Sequence, residues 1–382
     1  MLIHTYYNQP GGEDVVFEME LEYLRTKGHD VKAIVFSNDE LQKLYPWQQA
    51  ARALWNNDAY RLVRQVVRDF SPSIVHIHNT FPFASPAVIH AVRAERIPLV
   101  LTLHNYRLLC VNALFFRSGG VCEDCLGRLP WAGVRNACYR ESYTASAVAA
   151  ATLTVHRWLG TWSEMVDAYV ALTEFARMKF VEGGLPEEKV LVKPNPLHPD
   201  PGPGSGGSLA LYVGRLSPEK GVRTLLDAWK KVDYPLLLLG DGPLAPEVEE
   251  AARHGASIEW LGRRSHEEVV QRMKQASFLV FPSEWYEGFP MTIAEAFATG
   301  LPVVASHLGA MASLIRHGQT GLHFRPGDAD DLAAKVEWLV ARPVELARMR
   351  EAARAEFETS YTMERNYSLL MDIYEQAIGR IR

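Results

Sequence analysis

Short apolar runs alternate with amphipathic segments along most of the chain. In the first half, helical periodicity separates the apolar runs HDVKAIVF, SIVHIH and PLVLTLH. The second half repeats the alternation with LALYVGRL, PLLLLGDG, SIEWLG, SFLVFPS, LPVVAS and GLHF. Strands joined by single helices lie parallel, because each helix returns the chain to the same end of the sheet. The sequence therefore predicts an α/β fold built from repeated βα units.

The length and one Pro- and Gly-rich segment predict two domains. The 382 residues exceed one ordinary core, and NPLHPDPGPGSGGS at 195–208 has the composition of a linker. We expect a first domain over 1–196, a linker over 197–207 and a second domain over 208–360. The final helical segment, 361–382, fits either domain and can cross back to the first. Two such sheets would form a ligand cleft at the carboxyl ends of their strands.

Composition excludes several classes of protein. The net charge of −5 gives no electrostatic footprint for nucleic acid. The longest uncharged, rather apolar stretch, SYTASAVAAATLTV, has 14 residues, fewer than the roughly 20 that span a bilayer. We expect a buried helix there. Polar residues follow Met1 almost at once, which is not the pattern of a signal peptide, so the expected location is cytoplasmic.

Two glutamates frame the most informative segment, SEWYEGFPMTIAEAFATG at 283–300. Glu287 precedes a Gly-Phe-Pro turn, and Glu295 lies eight residues after Glu287. If all eight residues were helical, the two glutamates would be about 12 Å apart along the helix axis. Pro290 suits the first position of a helix whose N-terminus would attract a phosphate. Carboxylates accept hydrogen bonds strongly from sugar hydroxyls. The alternative is that both glutamates are ordinary exposed residues of a helix.

Other polar residues follow predicted strands at the same sheet edge. Arg215 and Lys220, in GRLSPEKGV, suit a diphosphate, although a solvated turn is the commoner role of such residues. Gly11 and Gly12, in NQPGGED, let backbone N–H groups approach a ligand, or simply form a tight turn. His104, in TLHNY, ends an apolar strand and could be purely structural. Their common placement favours a ligand site.

These segments together resemble the retaining GT-B glycosyltransferases of glycosyltransferase family 4. The resemblance covers nearly the whole length through PGGED, SIVHIHN, TLHNY, KPNP, GRLSPEKGV, LLLLGDGP, WLG and SEWYEGFPMTIAEAFATGLPVVAS, of which the last is specific. It implies two facing Rossmann-like, doubly wound domains that hold a nucleotide-sugar between them. Pro290 departs from the glycine that many members have there, and proline removes one N–H donor.

The resemblance also implies roles for individual residues. Glu295 matches the residue that holds the ribose, and Glu287 matches the one that contacts the donor sugar. Arg215 and Lys220 match the pyrophosphate pair, and His104 matches the histidine beside the transferred sugar. The remaining donor-site residues match the glycine loop near phosphate and acceptor or offer backbone groups to the sugar and phosphate: Gly11, Gly12, Gly288, Phe289, Pro290, Met291 and Thr292.

The implied activity is metal-independent, retaining transfer from a nucleotide-diphosphate-sugar, UDP- or GDP-linked, to a hydroxyl acceptor. The acceptor would be a sugar or a lipid-linked glycan. No covalent nucleophile is evident, which fits a mechanism in which the leaving phosphate accepts the acceptor's proton. Two alternatives remain: a nucleotide-sugar 2-epimerase of the same fold, and a non-catalytic nucleotide-sugar-binding protein.

Three further signals compete with this interpretation. GDGPLA at 240–245, with Glu259 about 20 residues on, imitates a dinucleotide fingerprint but falls on the second βα turn. DAD at 328–330 imitates a metal-binding pair, but helix capping explains it. The segment 47–70 carries Arg52, Arg61, Arg64 and Arg68 with two tryptophans, so it is either a domain helix or a face for a peripheral membrane contact at the inner membrane surface.

All four cysteines lie within 29 residues, in an insertion over 110–138. Cys110, Cys122, Cys125 and Cys138 include one C-x2-C pair, the spacing of a tetrahedral zinc site. A structural zinc beside His104 is the favoured interpretation. Disulfide or redox pairing and thiols without a metal are the alternatives, and a cytoplasmic setting disfavours disulfides.

Overall fold

The chain folds into two units, each built on a six-stranded parallel sheet. The computed structural model describes residues 1–7, 11–255 and 257–380. The first unit comprises Met1–Phe115, Glu123–Pro194 and Asn366–Arg382, and the second comprises Phe116–Cys122 and Asn195–Arg365. The longer segment of the second unit thus begins inside the stretch whose composition predicts a linker, and most of the last helix belongs to the first unit.

The first unit's sheet has the order β2-β1-β3-β4-β7-β8. Its strands are β1 (Leu2–Tyr6), β2 (Ala33–Ser37), β3 (Val75–Ile77), β4 (Leu99–Leu103), β7 (Ala168–Ala171) and β8 (Val190–Val192). Two short strands of the second unit, β5 (Phe116–Arg117) and β6 (Gly120–Val121), form a separate antiparallel hairpin. The central strands are buried on both faces, because helices cover a parallel sheet on each side. The helices are Gly12–Thr26, Asp39–Gln42, Pro46–Leu54, Asn57–Phe70, Ala87–Ala94, Trp131–Arg135, Tyr143–Trp158, Glu174–Glu182 and Met363–Gly379.

The second unit's sheet has the order β11-β10-β9-β12-β13-β14. Its strands are β9 (Ala210–Val213), β10 (Leu236–Leu239), β11 (Ile258–Trp260), β12 (Phe278–Phe281), β13 (Val303–Ser306) and β14 (Gly321–Phe324). Apolar residues on the two faces pack against the helices Val222–Trp229, Ala245–His254, His266–Lys274, Met291–Ala298, Gly309–Leu314, Ala329–Val340 and Pro343–Ser360. In this order β9 lies between β10 and β12, so the loops that follow these strands emerge side by side.

Two sequence-based expectations need correction. Residues 47–70 do not form one helix, because the first helical segment ends at Leu54 and Asn56 caps the next by accepting hydrogen bonds from Asp58 N and Ala59 N, each at 3.1 Å. Pro290 is the residue before the helix Met291–Ala298, with ψ 94°, and not its first residue. Glu287 and Glu295 are therefore not joined by continuous helix, and the helical estimate of their separation does not apply.

Two other segments adopt the structures that their patterns predict. Tyr143–Trp158 is a helix with one buried face, and Asp328 caps the helix Ala329–Val340 by accepting a hydrogen bond from Asp331 N at 2.9 Å. In the described part of the chain, no helix is both long and apolar enough to cross a membrane.

Candidate functional site

A close backbone contact in the second unit positions Lys220. Gly221 has φ 67°, and a Cβ there would lie 1.9 Å from the carbonyl oxygen of Pro282. Only glycine allows both the left-handed conformation and this approach. A hydrogen bond from Glu284 N to the carbonyl of Glu219, at 2.9 Å, joins the same two loops. The loop after β9 is thereby held against the loop after β12, and the two predicted charged residues on them meet.

Lys220 and Glu287 form the centre of this cluster. Lys220 Nζ lies 2.7 Å from Glu287 Oε1, and the Glu287 residue is only 6% exposed. Ser283 Oγ and Trp285 Nε1 donate to the same oxygen at 2.7 and 2.8 Å. The ammonium also lies 5.3 Å from the centre of the Trp285 ring. The cluster thus contains a buried carboxylate to which a cation and neutral donors bind.

Glu295 lies on the helix that follows this loop, with a side chain 15% exposed. Burial raises the pKa of Glu295, and the nearby His266 opposes that rise. The two side chains approach to 3.7 Å between His266 Nδ1 and Glu295 Oε1. A half-buried carboxylate with a raised pKa gains from ligand hydroxyls that donate to it, because they replace the water it has lost.

Arg215 is exposed and lines a separate cavity of about 350 Å³. The cavity lies at the carboxyl ends of β9 and β10, and Arg263 and Arg264 also line it. A Cβ at Gly240, which has φ 141°, would lie 1.8 Å from the carbonyl of Gly214, so glycine is required there as well. Arginine side chains concentrated at one cavity favour an anionic ligand.

Among the predicted residues of the second unit, Lys220 and Glu287 are in direct contact. Within the described residues, neither Arg215 nor Glu295 shares a hydrogen bond or ion pair with them. Sequence reasoning missed Ser283 and Trp285 as partners of Glu287. Their positions four and two residues before it, on the same loop, were the available signal.

In the first unit, Gly11 and Gly12 begin the helix Gly12–Thr26. A Cβ added to either would meet nothing within 4 Å, so packing within the protein does not require glycine. Gly11 N donates to Asp14 Oδ2 at 2.8 Å, and Asp14 Oδ1 lies 2.7 Å from His4 Nε2. The rest of the predicted loop, Asn8–Pro10, lies outside the described residues.

Glu13, beside these glycines, escaped the sequence prediction. Burial and the neighbouring Asp14 raise the pKa of Glu13 to about 8. Asn79 Nδ2 and Asn105 Nδ2 donate to its two oxygens at 2.9 and 3.3 Å. The side chain is therefore largely protonated at neutral pH and can either donate or accept a hydrogen bond. Its place immediately after Gly12 was the only sequence signal.

His104 follows β4 and is half-buried. His104 Nε2 lies 3.1 Å from His78 Nδ1, and the two rings stack with centroids 5.3 Å apart. Burial, together with the nearby His78, holds the pKa of His104 well below its usual value. The predicted histidine is thus a neutral imidazole within a larger polar cluster.

The cysteines of the 110–138 insertion differ in exposure. Cys110 and Cys125 are buried, whereas Cys122 and Cys138 are half-buried. Cys110 Sγ donates to Asn112 Oδ1 at 2.9 Å. Zinc binding at these four thiols stays a prediction. Among the described residues, the His, Cys, Asp and Glu side chains close enough to share a metal ion are Glu20, His76 and His78.

The segment proposed as a basic face is largely neutralised. Arg52 Nη2 lies 2.8 Å from Asp58, and Arg64 and Arg68 share Glu95 at 2.6 and 2.9 Å. The aromatic residues of this region are more exposed, with Tyr45 at 69% and Trp47 at 70%. Any surface contact made here would therefore depend on apolar groups more than on net charge.

Comparison with known proteins covers both units. The family description "Glycosyltransferase Family 4" matches residues 10–200, and "Glycosyl transferases group 1" matches residues 197–356. An uncharacterized glycosyltransferase of Methanocaldococcus jannaschii is 33% identical over 171 residues, 44% of this chain and 48% of that protein. The chain thus matches about half of that relative's length. A phosphatidyl-myo-inositol mannosyltransferase of Mycobacterium leprae is 26% identical over 402 residues, covering 98% of this chain and 96% of that protein.

A solved structure shares the architecture. The Anabaena protein Alr3699/HepE, crystallised in complex with UDP, superposes with a TM-score of 0.68 at 18% identity and 98% coverage of both chains. The two parallel six-stranded sheets with flanking helices match this GT-B structure. The predicted fold class, a GT-B arrangement of two doubly wound parallel-sheet domains, is confirmed.

Proposed function

Because this chain belongs to glycosyltransferase family 4, we propose that it transfers a sugar from a nucleotide-diphosphate-sugar to a hydroxyl acceptor. We infer retention of the anomeric configuration and chemistry that needs no metal ion. The observation that carries the proposal is the Lys220–Glu287 contact at 2.7 Å, at the carboxyl edge of the second sheet. It places a cation and a carboxylate one loop from a helix N-terminus, where a sugar diphosphate has complementary partners.

The proposed role of Lys220 and Arg215 is to stabilise the leaving group. As the anomeric bond breaks, the sugar becomes oxocarbenium-like and negative charge builds on the departing diphosphate. Lys220, Arg215 and the backbone N–H groups at the start of helix Met291–Ala298 would stabilise that charge. Positive groups held in place before the reaction need no reorganisation during it, so their effect is greatest on the transition state. The leaving phosphate would accept the proton of the attacking hydroxyl on the same face of the sugar.

The carboxylates would orient the donor. Glu295 would accept hydrogen bonds from the ribose hydroxyls, and its raised pKa reports the desolvation that such bonds relieve. Glu287 would contact the donor sugar while Lys220 holds its Oε1. Backbone groups of the turn and first helical residues, Gly288, Phe289, Pro290, Met291 and Thr292, would meet the sugar and phosphate. In the first unit, we assign the contact with the transferred sugar to His104.

Turnover assays distinguish this function from its alternatives. A thermal-shift panel of nucleoside diphosphates and nucleotide-sugars comes first, since ligands that bind the native state raise its melting temperature. UDP leads the panel because a solved structure of the same fold was obtained with UDP. Transfer requires release of nucleoside diphosphate that depends on an added sugar or lipid-linked acceptor. Inversion at C2 of the donor sugar without any acceptor would indicate an epimerase, and a thermal shift without turnover would indicate a binding protein.

The acceptor side has its own candidate surface. A cavity of about 810 Å³ in the first unit is lined by Trp47, Phe81 and Tyr139 with Arg140 at one side. Trp47 and the nearby Tyr143 are 70% and 67% exposed. Exposed aromatic rings next to a cavity with both apolar and polar lining suit the boundary between lipid headgroups and acyl chains. We therefore propose a peripheral contact with the inner, cytoplasmic surface of a membrane, from which a lipid-linked glycan would be taken.

Vesicle sedimentation tests that contact. The wild-type chain should sediment with phosphatidylglycerol vesicles, and the double substitution Trp47→Ser with Tyr143→Ser should lower the bound fraction. Trp338→Ser, on an exposed tryptophan of the second unit, is the matched control and should leave it unchanged. Equal sedimentation of all three proteins would contradict the proposed face.

A structural zinc ion at the four cysteines remains part of the proposal. It rests on their clustering and the C-x2-C pair, and thiolates at that spacing suit a tetrahedral ion. Zinc would stabilise the insertion and take no part in sugar transfer. Metal analysis of protein purified without chelators should find about one zinc per chain.

A further inference from the structure

A buried charged cluster lies behind His104 in the first unit. Glu20 projects from the helix Gly12–Thr26 and is 2% exposed, and Lys193, just after β8, is 1% exposed. Lys193 Nζ lies 2.9 Å from Glu20 Oε2 and 3.2 Å from Asn366 Oδ1. Burying such a pair is costly unless both groups are fully engaged, so its presence calls for an explanation beyond stability.

The cluster holds Glu20 as a carboxylate. Burial alone would raise the pKa of Glu20, but Lys193, with His76 and His78, outweighs it and keeps that pKa well below the usual value. The second oxygen, Oε1, faces two imidazole nitrogens: His76 Nδ1 at 3.0 Å and His78 Nε2 at 3.3 Å. Among the described residues, neither Oε1 nor His78 Nε2 makes a well-aligned hydrogen bond, so each has the other as a close polar neighbour at 3.3 Å.

Electrostatics then assigns the proton on His78. A carboxylate oxygen repels an imidazole lone pair and attracts an N–H, so Nε2 of His78 carries hydrogen. Burial, with the neighbouring His76, lowers the pKa of His78 to about 4, so the ring is neutral and has a single N–H. Its other nitrogen, Nδ1, is therefore an acceptor, and it lies 3.1 Å from His104 Nε2.

The same electrostatic argument identifies which nitrogen of His104 carries the proton. Two facing lone pairs at 3.1 Å would repel each other, so His104 Nε2 donates to His78 Nδ1. His104 is neutral as well, because burial holds its pKa well below the usual value. One proton on Nε2 leaves Nδ1 of His104 with its lone pair.

We propose that His78 is a positioning residue, which, anchored by Glu20, sets His104 in the Nε2–H form so that His104 Nδ1 accepts a hydrogen bond from a hydroxyl of the transferred sugar. The last clause rests on the proposed glycosyl transfer, whereas the proton assignment does not. A metal ion shared by Glu20, His76 and His78 fits less well, because the Lys193 ammonium already lies 2.9 Å from the same carboxylate and would repel it.

Nitrogen NMR tests the proton assignment without any activity. The full chain, labelled with ¹⁵N-histidine, gives two-bond correlations that distinguish the two neutral forms of each ring. The His104→Gln spectrum identifies the His104 signals. At pH 7 the expected pattern is Nε2–H for both His78 and His104. An Nδ1–H form or a charged ring at His104 would overturn the proposal, whether or not the protein transfers sugar.

Two substitutions at His78 test the positioning role. The amide oxygen of His78→Asn can take the place of Nδ1 as acceptor, whereas His78→Leu offers none. His78→Leu should lower kcat by about tenfold or more and mix the two forms of His104, and His78→Asn should restore most of both. UDP affinity should stay within about twofold in each variant, since the nucleotide contacts are assigned to the other unit.

A control separates this effect from general disturbance of the first unit. His90 bonds Thr161 Oγ1 at 2.9 Å in a different cluster, and His90→Leu makes the same change of side chain. It should leave kcat and the His104 signals unchanged. A His78→Leu protein that keeps wild-type kcat, or one that loses activity no more than His90→Leu does, would overturn the positioning role. Absence of turnover in the wild type would instead contradict the proposed transfer.

Discussion

Lys220 has two roles that can be measured separately: stabilising Glu287 in the folded protein, and stabilising the leaving phosphate. The substitution Lys220→Met keeps the length and packing of the side chain but removes its charge. The 2.7 Å contact corresponds to a gross attraction of about 6 kcal/mol at an effective dielectric constant of about 20. The Lys220 side chain is 22% exposed, so solvent screening and desolvation reduce the net coupling to about 2 kcal/mol.

A double-mutant cycle measures that coupling. Lys220→Met removes the cation beside the buried Glu287 carboxylate, and should lower the melting temperature by about 4–8 °C. Adding Glu287→Gln removes the stranded charge, so the double variant should be more stable than the sum of the two single effects predicts. Urea unfolding of the four proteins gives the coupling free energy. Effects that add within about 0.5 kcal/mol would refute the ion-pair reasoning.

Arg215→Met removes a cation that does not stabilise the fold, so it separates the loss of catalysis from the loss of stability. Arg215 is exposed and belongs to no ion pair among the described residues, so its loss should change the melting temperature by about 1 °C or less. Both Arg215→Met and Lys220→Met should lower kcat/KM strongly if the two cations stabilise the leaving diphosphate. A variant at either position that retains near wild-type kcat/KM would contradict that role.

Three further predictions follow from other sites. Glu295→Ala should weaken UDP and UDP-sugar binding alike, by about tenfold, because charge-assisted bonds to ribose are lost; unchanged affinities in calorimetry would contradict the ribose assignment. The pKa of Glu13 is raised from 4.5 to about 8, so its contribution to stability is complete below pH 4.5 and is lost as the pH rises through 8; Glu13→Gln should flatten the fall in melting temperature over that interval, and parallel pH curves would disprove it. Replacing Cys122 and Cys125 by Ser should lower the melting temperature and the zinc content but spare UDP binding, and a wild-type protein with far less than one zinc per chain would reject the site.

The parallel α/β architecture could be predicted from the sequence because it depends on local periodicity. Apolar runs such as FLVF at Phe278–Phe281 are buried on both faces of a sheet, and the helices between them force a parallel order. The sequence also placed the segment that contains Glu287 and Glu295, because these residues lie on the loop and helix that directly follow β12.

Other elements escaped prediction because their local patterns are weak. The strands Ala168–Ala171 and Val190–Val192 have four and three residues, too few for a clear period. The helix Pro343–Ser360 buries only Met349, Ala353 and Phe357, a narrow stripe on a charged segment. Such elements are stabilised by the neighbours they pack against more than by their own composition.

The sequence by itself determined the parallel α/β architecture and which charged residues follow its strands. Only the tertiary structure decided which of those residues meet. Lys220 reaches Glu287 across 67 positions, and Glu20 reaches Lys193 across 173. No periodic pattern of residues extends over such separations in the sequence. A buried charge can be identified only when the structure shows the partner that compensates it. The protonation of His104 depends on that chain of partners, so it could be inferred only once the fold had brought Glu20 and His78 together.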